Sequence, residues 1–298
     1  MDVIVVGGSY AGLAAAMALG RSLRTVLVID SGLPCNRFTS HSHNVLTHDG
    51  STPAAIAEAA RRDLARYESV RMVNTVAVTA EAAEGGFTVT TDDGARHGSR
   101  KLLIATGVRD ILPPVDGLDA CWGISALHCP YCHGYEVHGT RLAVLGNGDM
   151  GYEMVRLISN WSPHLSLYTN GAPTLTIEQR EQIRAHGIAI VEEPLRRIEH
   201  ESGRLRAIEI EDGTRYEHDA IFVRPAIEQH SDIASRLGCS ITEQGLVAVD
   251  QFGATSMPGV FAAGDATTSM RTVAAAIASG TMAGAMMNRE LIAEEWSR

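Results

Sequence analysis

Val3-Ile4-Val5-Val6-Gly7-Gly8-Ser9-Tyr10-Ala11-Gly12 opens the chain and decides its fold class. Four consecutive apolar residues read as a short strand buried on both faces. The glycines read as a tight turn, and Leu13-Ala14-Ala15-Ala16-Met17-Ala18 as the helix that follows it. Thr25-Val26-Leu27-Val28-Ile29 is a second strand, ending on Asp30. Strand, Gly-rich turn, helix, strand and terminal acid together form the unit that binds dinucleotides. Phosphates sit at the helix N-terminus, where N–H groups lack intrahelical acceptors. The acid can accept from a ribose hydroxyl, and Asp30 lies 18 residues past Gly12, close to the usual spacing of about 20. Ser9 stands where the G-x-G-x-x-G frame has its second glycine, and its small side chain leaves the phosphate's approach open.

The pattern occurs a second time. Leu142-Ala143-Val144-Leu145 leads into Gly146-Asn147-Gly148-Asp149-Met150-Gly151, a complete G-x-G-x-x-G, and a helix through Ile158. The next strand, Leu165-Ser166-Leu167-Tyr168, ends in Thr169-Asn170-Gly171. Neither an acid for a 2′-hydroxyl nor an arginine for a 2′-phosphate stands there, so this second site is incomplete at its ribose end. Between the two units lie a loop, 31–51, holding Pro34, Cys35, Arg37, His41, His43 and His48, then a helix over 53–67. Long loops of this kind cover or bind something; His41-Ser42-His43 is a metal pair or, more simply, solvated loop histidines. The runs 70–79 and 87–91, with the turn signal Asp92-Asp93-Gly94, read as a small β excursion. Leu102-Leu103-Ile104-Ala105-Thr106-Gly107 is a further buried strand, and Pro113-Pro114 marks a domain junction. Strand-like runs with an Asp212-Gly213 hairpin signal fill 189–219, and Ile221-Phe222-Val223 is another strand. The chain is expected to cross back near Gly245–Val249. Gly259-Val260-Phe261-Ala262-Ala263-Gly264-Asp265 then ends on Gly-Asp, before an Ala-rich helix from Arg271. The expected fold class is α/β, with two Rossmann-like three-layer domains, the second inserted into the first. Residues 1–111 and 246–298 form one domain and 112–245 the other.

Composition is consistent with this. A chain of 298 residues, 45% hydrophobic and 20% charged, is long enough for two globular domains. A net charge of −10 without a basic run argues against nucleic acid. Lys101 is the only lysine. The N-terminus, with Asp2 and a four-residue apolar run, does not read as a signal peptide. The Ala/Gly-rich run 273–287 is shorter than the roughly 20 residues a membrane span needs, and reads as a packing helix. No membrane partner and a cytoplasmic location follow as expectations.

Five cysteines, Cys35, Cys121, Cys129, Cys132 and Cys239, are too few for a secreted disulfide framework. Two of them stand in His128-Cys129-Pro130-Tyr131-Cys132-His133. A C-x-x-C pair can close a reversible disulfide with an acidified attacking thiol. The same residues are zinc ligands, although four ligands within six residues close poorly on a tetrahedron, and no metal is expected. An inert bridge is disfavoured, because so short a loop gives it little structural value. His133 is the candidate acid–base group, with His128 and His138 as others. Cys35, Cys121 and Cys239 read as small buried hydrophobes.

The N-terminal Gly-rich turn, the Ala-Thr-Gly strand end, the C-x-x-C between the two units and the late Ala-Ala-Gly-Asp, taken in order, resemble the low-molecular-weight thioredoxin reductase family over almost the whole chain. The resemblance implies FAD and a redox-active disulfide. It places Gly7, Ser9, Tyr10, Ala11, Gly12, Asp30 and Arg37 at the ADP half of FAD, and Ala105, Thr106 and Gly107 beside the cofactor. Gly264 and Asp265 would meet its ribityl or pyrophosphate region, and Arg271, Thr272 and Val273 the flavin. Cys132 would face the flavin and Cys129 would exchange with substrate. Three departures stand out. The aspartate after the C-x-x-C is His133 here. The basic stretch that selects NADPH is Tyr168-Thr169-Asn170, and the Gly-x-x-Pro-Asn near the end of the second unit is Val223-Arg224-Pro225-Ala226. Cys-Pro-Tyr-Cys-His-Gly-Tyr-Glu looks more like the FAD-dependent dithiol oxidases that close disulfides in gliotoxin and holomycin. The expected activity is oxidation of a small-molecule dithiol or a thioredoxin-like protein, by a homodimer. An NADPH-dependent thioredoxin reductase and a non-catalytic flavin-bound redox sensor are the alternatives.

Overall fold

The computed structural model describes residues 1–297, which fall into two compact units. Unit one comprises Met1–Arg37, Val45–Arg109 and the chain from Ile227 on; unit two comprises Phe38–Asn44 and Asp110–Ala226. The inserted domain therefore ends well before the expected 245. The cause is packing: Ile233, Ala234, Cys239 and Val247 bury themselves against Ile4, Leu27, Ile29 and Leu102 of unit one.

Unit one begins with β1 (Val3–Val6), α1 (Tyr10–Arg21), β2 (Val26–Asp30), α2 (Pro53–Leu64), β3 (Val70–Asn74) and β4 (Lys101–Ile104). Side chains alternate along β1. Val3 and Val5 pack with Ala15, Leu19 and Met287 on one face, while Ile4 and Val6 pack with Phe87, Val89 and Ile233 on the other. Both faces are covered, which is why the strand reads as an unbroken apolar run rather than an alternating one. The run 70–79 is not one strand. Val70–Asn74 pairs parallel with β2, and a separate antiparallel meander starts at Ala77 and includes Gly86–Thr91 and Arg96–Ser99.

Unit two holds β5 (Ala126–Leu127), α3 (Pro130–His133), β6 (Leu142–Leu145), α4 (Gly148–Ile158), β7 (Leu165–Tyr168), α5 (Ile177–Ala185), β8 (Ala189–Val191) and β9 (Ala220–Val223). Its parallel sheet has the order β8-β7-β6-β9-β5. Leu142 and Val144 face Val155, Ile158 and Ile183 of the helices. Ala143 and Leu145 face Ile198 and Ile208, which belong to a three-stranded antiparallel sheet turned at Asp212-Gly213.

Unit one closes with β10 (Val260–Ala262), which completes the parallel order β10-β4-β1-β2-β3, and α6 (Val273–Trp296). α6 lies on α1 at backbone distance. A Cβ at Gly280 would stand 2.0 Å from the carbonyl oxygen of Ala11, and one at Gly284 2.7 Å from that of Ala15. Among the described residues, no helix is long and apolar enough to cross a membrane.

Candidate active site

The first Gly-rich turn is built by close contact. Gly7 has φ +105, and a Cβ there would lie 2.3 Å from the Ala105 carbonyl oxygen. A Cβ at Gly12 would lie 1.9 Å from the Gly7 oxygen, so only glycine lets α1 start so near β1. Ser9 precedes α1 in extended backbone and makes no side-chain cap. The first N–H groups of this twelve-residue helix are thus left to another acceptor. Asp30, at the end of β2, accepts from Gly8 N–H at 3.1 Å and pairs with Arg61 at 3.3 Å. Tyr10 OH accepts from Asn36 at 3.0 Å, and the exposed Arg37 donates to the Pro34 carbonyl at 3.0 Å. Ala105 N–H continues the sheet to Val6 at 2.8 Å. Beside it Thr106 Oγ1 is buried without a hydrogen-bond partner. Gly107, at φ +66, takes the next turn.

Gly264, also at positive φ, brings its backbone against Ala11: a Cβ would stand 2.9 Å from Ala11 Cβ. Asp265 Oδ2 accepts from Arg271 Nε at 3.4 Å. Thr272 caps α6 by accepting from Ala275 N–H at 3.1 Å, and Val273 is the helix's first residue. Arg271 Nη2 also donates to Cys35 Sγ at 2.9 Å. Of the three isolated cysteines, Cys121 and Cys239 are buried in apolar cores as expected, but Cys35 is half-exposed beside a guanidinium. Burial pushes the Cys121 thiol up.

In unit two, Cys129 and Cys132 are joined as a disulfide with Cα atoms 5.3 Å apart. Pro130 starts the single turn α3, and the N–H groups of Cys132 and His133 both point at the Cys129 carbonyl, each at 3.2 Å. The turn is seated from one side. A Cβ at Gly134 would touch Trp161 Nε1 at 2.6 Å, and Tyr131 stands edge-on to Trp161 with centroids 5.6 Å apart. Both cysteines are partly accessible. His133 is half-buried, and its pKa is held below the usual imidazole value. Burial lowers it, the Glu136 carboxylate raises it, and His43 lowers it again. His43 stands edge-on to His133 with centroids 6.3 Å apart and pairs with Glu136 at 3.5 Å. His138 is exposed, stacked on Tyr135 with centroids 5.0 Å apart. Among the described residues no group of three or more His, Cys, Asp or Glu is placed to hold a metal ion. Glu136 closes the Cys-Pro-Tyr-Cys-His-Gly-Tyr-Glu motif, but the sequence reading assigned it no role. Its one signal was an acid three residues after His133.

The second Gly-rich turn is intact as backbone. A Cβ at Gly151 would lie 2.7 Å from the Gly146 carbonyl. Its polar groups, however, are turned inward. Asn147 Oδ1 accepts from Gly148 N–H and Thr174 N–H, both at 2.8 Å, and its amide donates to the Ala172 carbonyl at 3.0 Å. Thr174 sits over Gly148, where a Cβ would be 2.7 Å from its hydroxyl oxygen. Asp149 places a carboxylate in the first turn of α4, where a phosphate would need positive potential. At the end of β7, Tyr168 is fully buried, Thr169 donates to the Gly171 carbonyl at 2.7 Å, and Asn170 Oδ1 accepts from Leu195 N–H at 2.8 Å. None of the three is a cation. These residues do not fit the phosphate and ribose end of NADPH.

The chain matches the family Pyridine nucleotide-disulphide oxidoreductase over residues 1–280. It belongs to that family. It is therefore an oxidoreductase. Thioredoxin reductase tcpT of Claviceps purpurea is 32% identical to it, over 99% of this chain and 95% of that one. The crystal structure of an oxidoreductase from Agrobacterium tumefaciens is 34% identical with a TM-score of 0.92, each chain covered to 98%. The crystal structure of HlmI is 32% identical with a TM-score of 0.94, over 100% of this chain and 94% of that one. Membership of this family implies FAD, and unit one fits it. The uncapped start of α1 suits a pyrophosphate, Asp30 a ribose, and the orphaned Thr106 hydroxyl a polar group of the cofactor.

Proposed function

We propose that the chain is a flavin-dependent dithiol oxidase. Substrate thiols reduce the Cys129–Cys132 disulfide, and the electrons leave through FAD to dioxygen. The observation that carries this reading is the second Gly-rich turn, whose polar groups are tied to their own loop and whose ribose end lacks a cation. A turn that ties its polar groups to its own loop favours electrons supplied by the thiols themselves over electrons supplied by a pyridine nucleotide.

The chain's own residues do the following. His133 takes a proton from a substrate thiol. The thiolate attacks Cys129 Sγ, the bond between Cys129 and Cys132 breaks, and Cys132 leaves as a thiolate. The substrate's second thiolate then attacks its own sulfur in the mixed disulfide. That expels Cys129 and closes the product disulfide, so the substrate loses two electrons and two protons and the enzyme pair gains the electrons. FAD, when bound, supplies the acceptor that returns the pair to its disulfide. The ring of Tyr131, exposed and braced on Trp161 beside the sulfurs, favours a small apolar dithiol as substrate.

Anaerobic mixing of the holoenzyme tests this. Dithiothreitol is expected to bleach the flavin within the turnover time, and NADPH to leave it yellow. Cys129→Ser is expected to abolish bleaching by dithiothreitol. Rapid bleaching by NADPH would instead support a thioredoxin reductase, the reading favoured by the intact backbone of Gly146–Gly151 and by the names of the relatives.

A further inference from the structure

Oxidising two thiols to a disulfide releases two protons, and His133 can hold one of them at a time. The seven residues 38–44, flanked on both sides by chain of unit one, belong to unit two. They bring His43 to His133. The titratable groups facing His133 include Glu136, three residues along its own stretch, and His43 from this strap, with His41 behind His43 at a centroid distance of 6.4 Å. Exposure rises outward along the set. His133 is half-buried, the His43 side chain is 22% exposed, and that of Glu136 is 39% exposed.

We propose that His43 and Glu136 form a proton relay behind His133, His43 receiving each proton of a turnover in turn from His133 and Glu136 orienting it and offsetting its charge. The proposal rests on the dithiol-oxidation reading above. The sequence of proton transfers balances. The first substrate thiol gives its proton to His133. His133 passes it to His43, whose ring centroid lies 6.3 Å from its own. The His43 proton leaves to solvent beside Glu136, and His133, neutral again, takes the proton of the second thiol and passes it out by the same route. His43 and Glu136 do not meet the sulfurs in this scheme. They are positioning residues that act through His133. The opposite charges of the pair give each a distinct signature: a protonated His43 disfavours a charged His133, whereas the Glu136 carboxylate favours it.

The test is the pH profile of aerobic dithiothreitol oxidation by holoenzyme of the wild type, His43→Gln, Glu136→Gln and Glu136→Asp, each checked for retained flavin. His43→Gln is expected to move the acid limb to higher pH and Glu136→Gln to lower pH. Turnover at the optimum should fall on the order of tenfold in His43→Gln, less than when a group that meets the reacting atoms is removed. Glu136→Asp should restore the wild-type limb. A purely structural role would move both limbs the same way or leave them in place, and either result overturns the relay while leaving dithiol oxidation standing. A wild-type holoenzyme that fails to oxidise dithiothreitol overturns both.

Discussion

His133 stands where the thioredoxin reductases have an aspartate, and its surroundings set when it can work. As a base it must be neutral. Burial lowers its pKa first, with Glu136 and His43 pulling in opposite directions, so the neutral imidazole persists to more acid pH than a free histidine would allow. The rate of flavin reduction by dithiothreitol should therefore hold from neutral pH to below 6.5, the ordinary imidazole value, before it declines. His133→Asn should lose on the order of a hundredfold in that rate and lose the acid limb with it. At this scale the chain was partly legible. Gly7, Gly12 and Asp30 lie at spacings dictated by one turn of backbone, and Cys129 and Cys132 are near neighbours in the chain. The approach of His43 to Glu136 was not legible, because it depends on where a loop of 31–51 folds back, and no local pattern records that.

Elements were legible where burial imposes a period, and illegible where two elements share one apolar run. The run 70–79 read as a single strand because Val70, Val73, Thr75, Val76, Val78 and Thr79 are β-formers on both sides of the break. Only pairing with β2 on one side and with Gly86–Thr91 on the other separates Val70–Asn74 from Ala77–Ala83. The Ala/Gly stretch of α6 was correctly read as a packing helix, and its contact with α1 gives it consequences. Gly280→Ala would drive a methyl group into the Ala11 carbonyl. Helix propensity gains about 1 kcal/mol from removing a glycine, but overpacking against rigid backbone costs about 2–3 kcal/mol. The expected result is a lower melting temperature and weaker FAD retention, since Ala11 belongs to the turn assigned to the cofactor; flavin release on mild heating measures both. Lys101 pins the far end of α6. Its ammonium, buried to 3% exposure, bridges Glu290 and Glu294 at 2.7 Å each. Lys101→Met keeps the apolar stem and leaves both carboxylates in water, each more than 40% exposed. The loss should be about 1–2 kcal/mol in urea unfolding rather than the larger penalty of a stranded buried charge.

At the scale of the molecule, one nucleotide-binding fold occurs twice with different fates. The turn of unit one leaves the start of its helix without a side-chain cap, while Asp30 holds Gly8 N–H and Arg61. The turn of unit two ties its Asn147 side chain to its own loop, and at its ribose end it has put a buried aromatic pair: Tyr168 OH and His218 Nε2 lie 2.8 Å apart, and Tyr216 stands edge-on to the Tyr168 ring. Sequence showed that an acid or arginine was missing after Tyr168, but not that His218, fifty residues on, fills the space behind it. That burial makes unit two sensitive to acid. Desolvation pushes the His218 pKa down to about 4 from 6.5, against a hydrogen bond with the Arg141 backbone that raises it. The unfolded chain binds this proton at pH values where the folded one refuses it. The stabilisation is therefore complete above pH 6.5 and is lost as pH falls toward 4, on the order of 3 kcal/mol in all. Trp122 and Trp161 both lie in unit two, and Trp296 of unit one is already 90% exposed, so the change in tryptophan fluorescence on melting follows unit two. The melting temperature read this way should drop by several degrees between pH 7 and pH 5. His218→Phe, which cannot titrate, should melt with a smaller drop over the same interval, and an equal drop in the two proteins would assign the acid sensitivity to groups elsewhere.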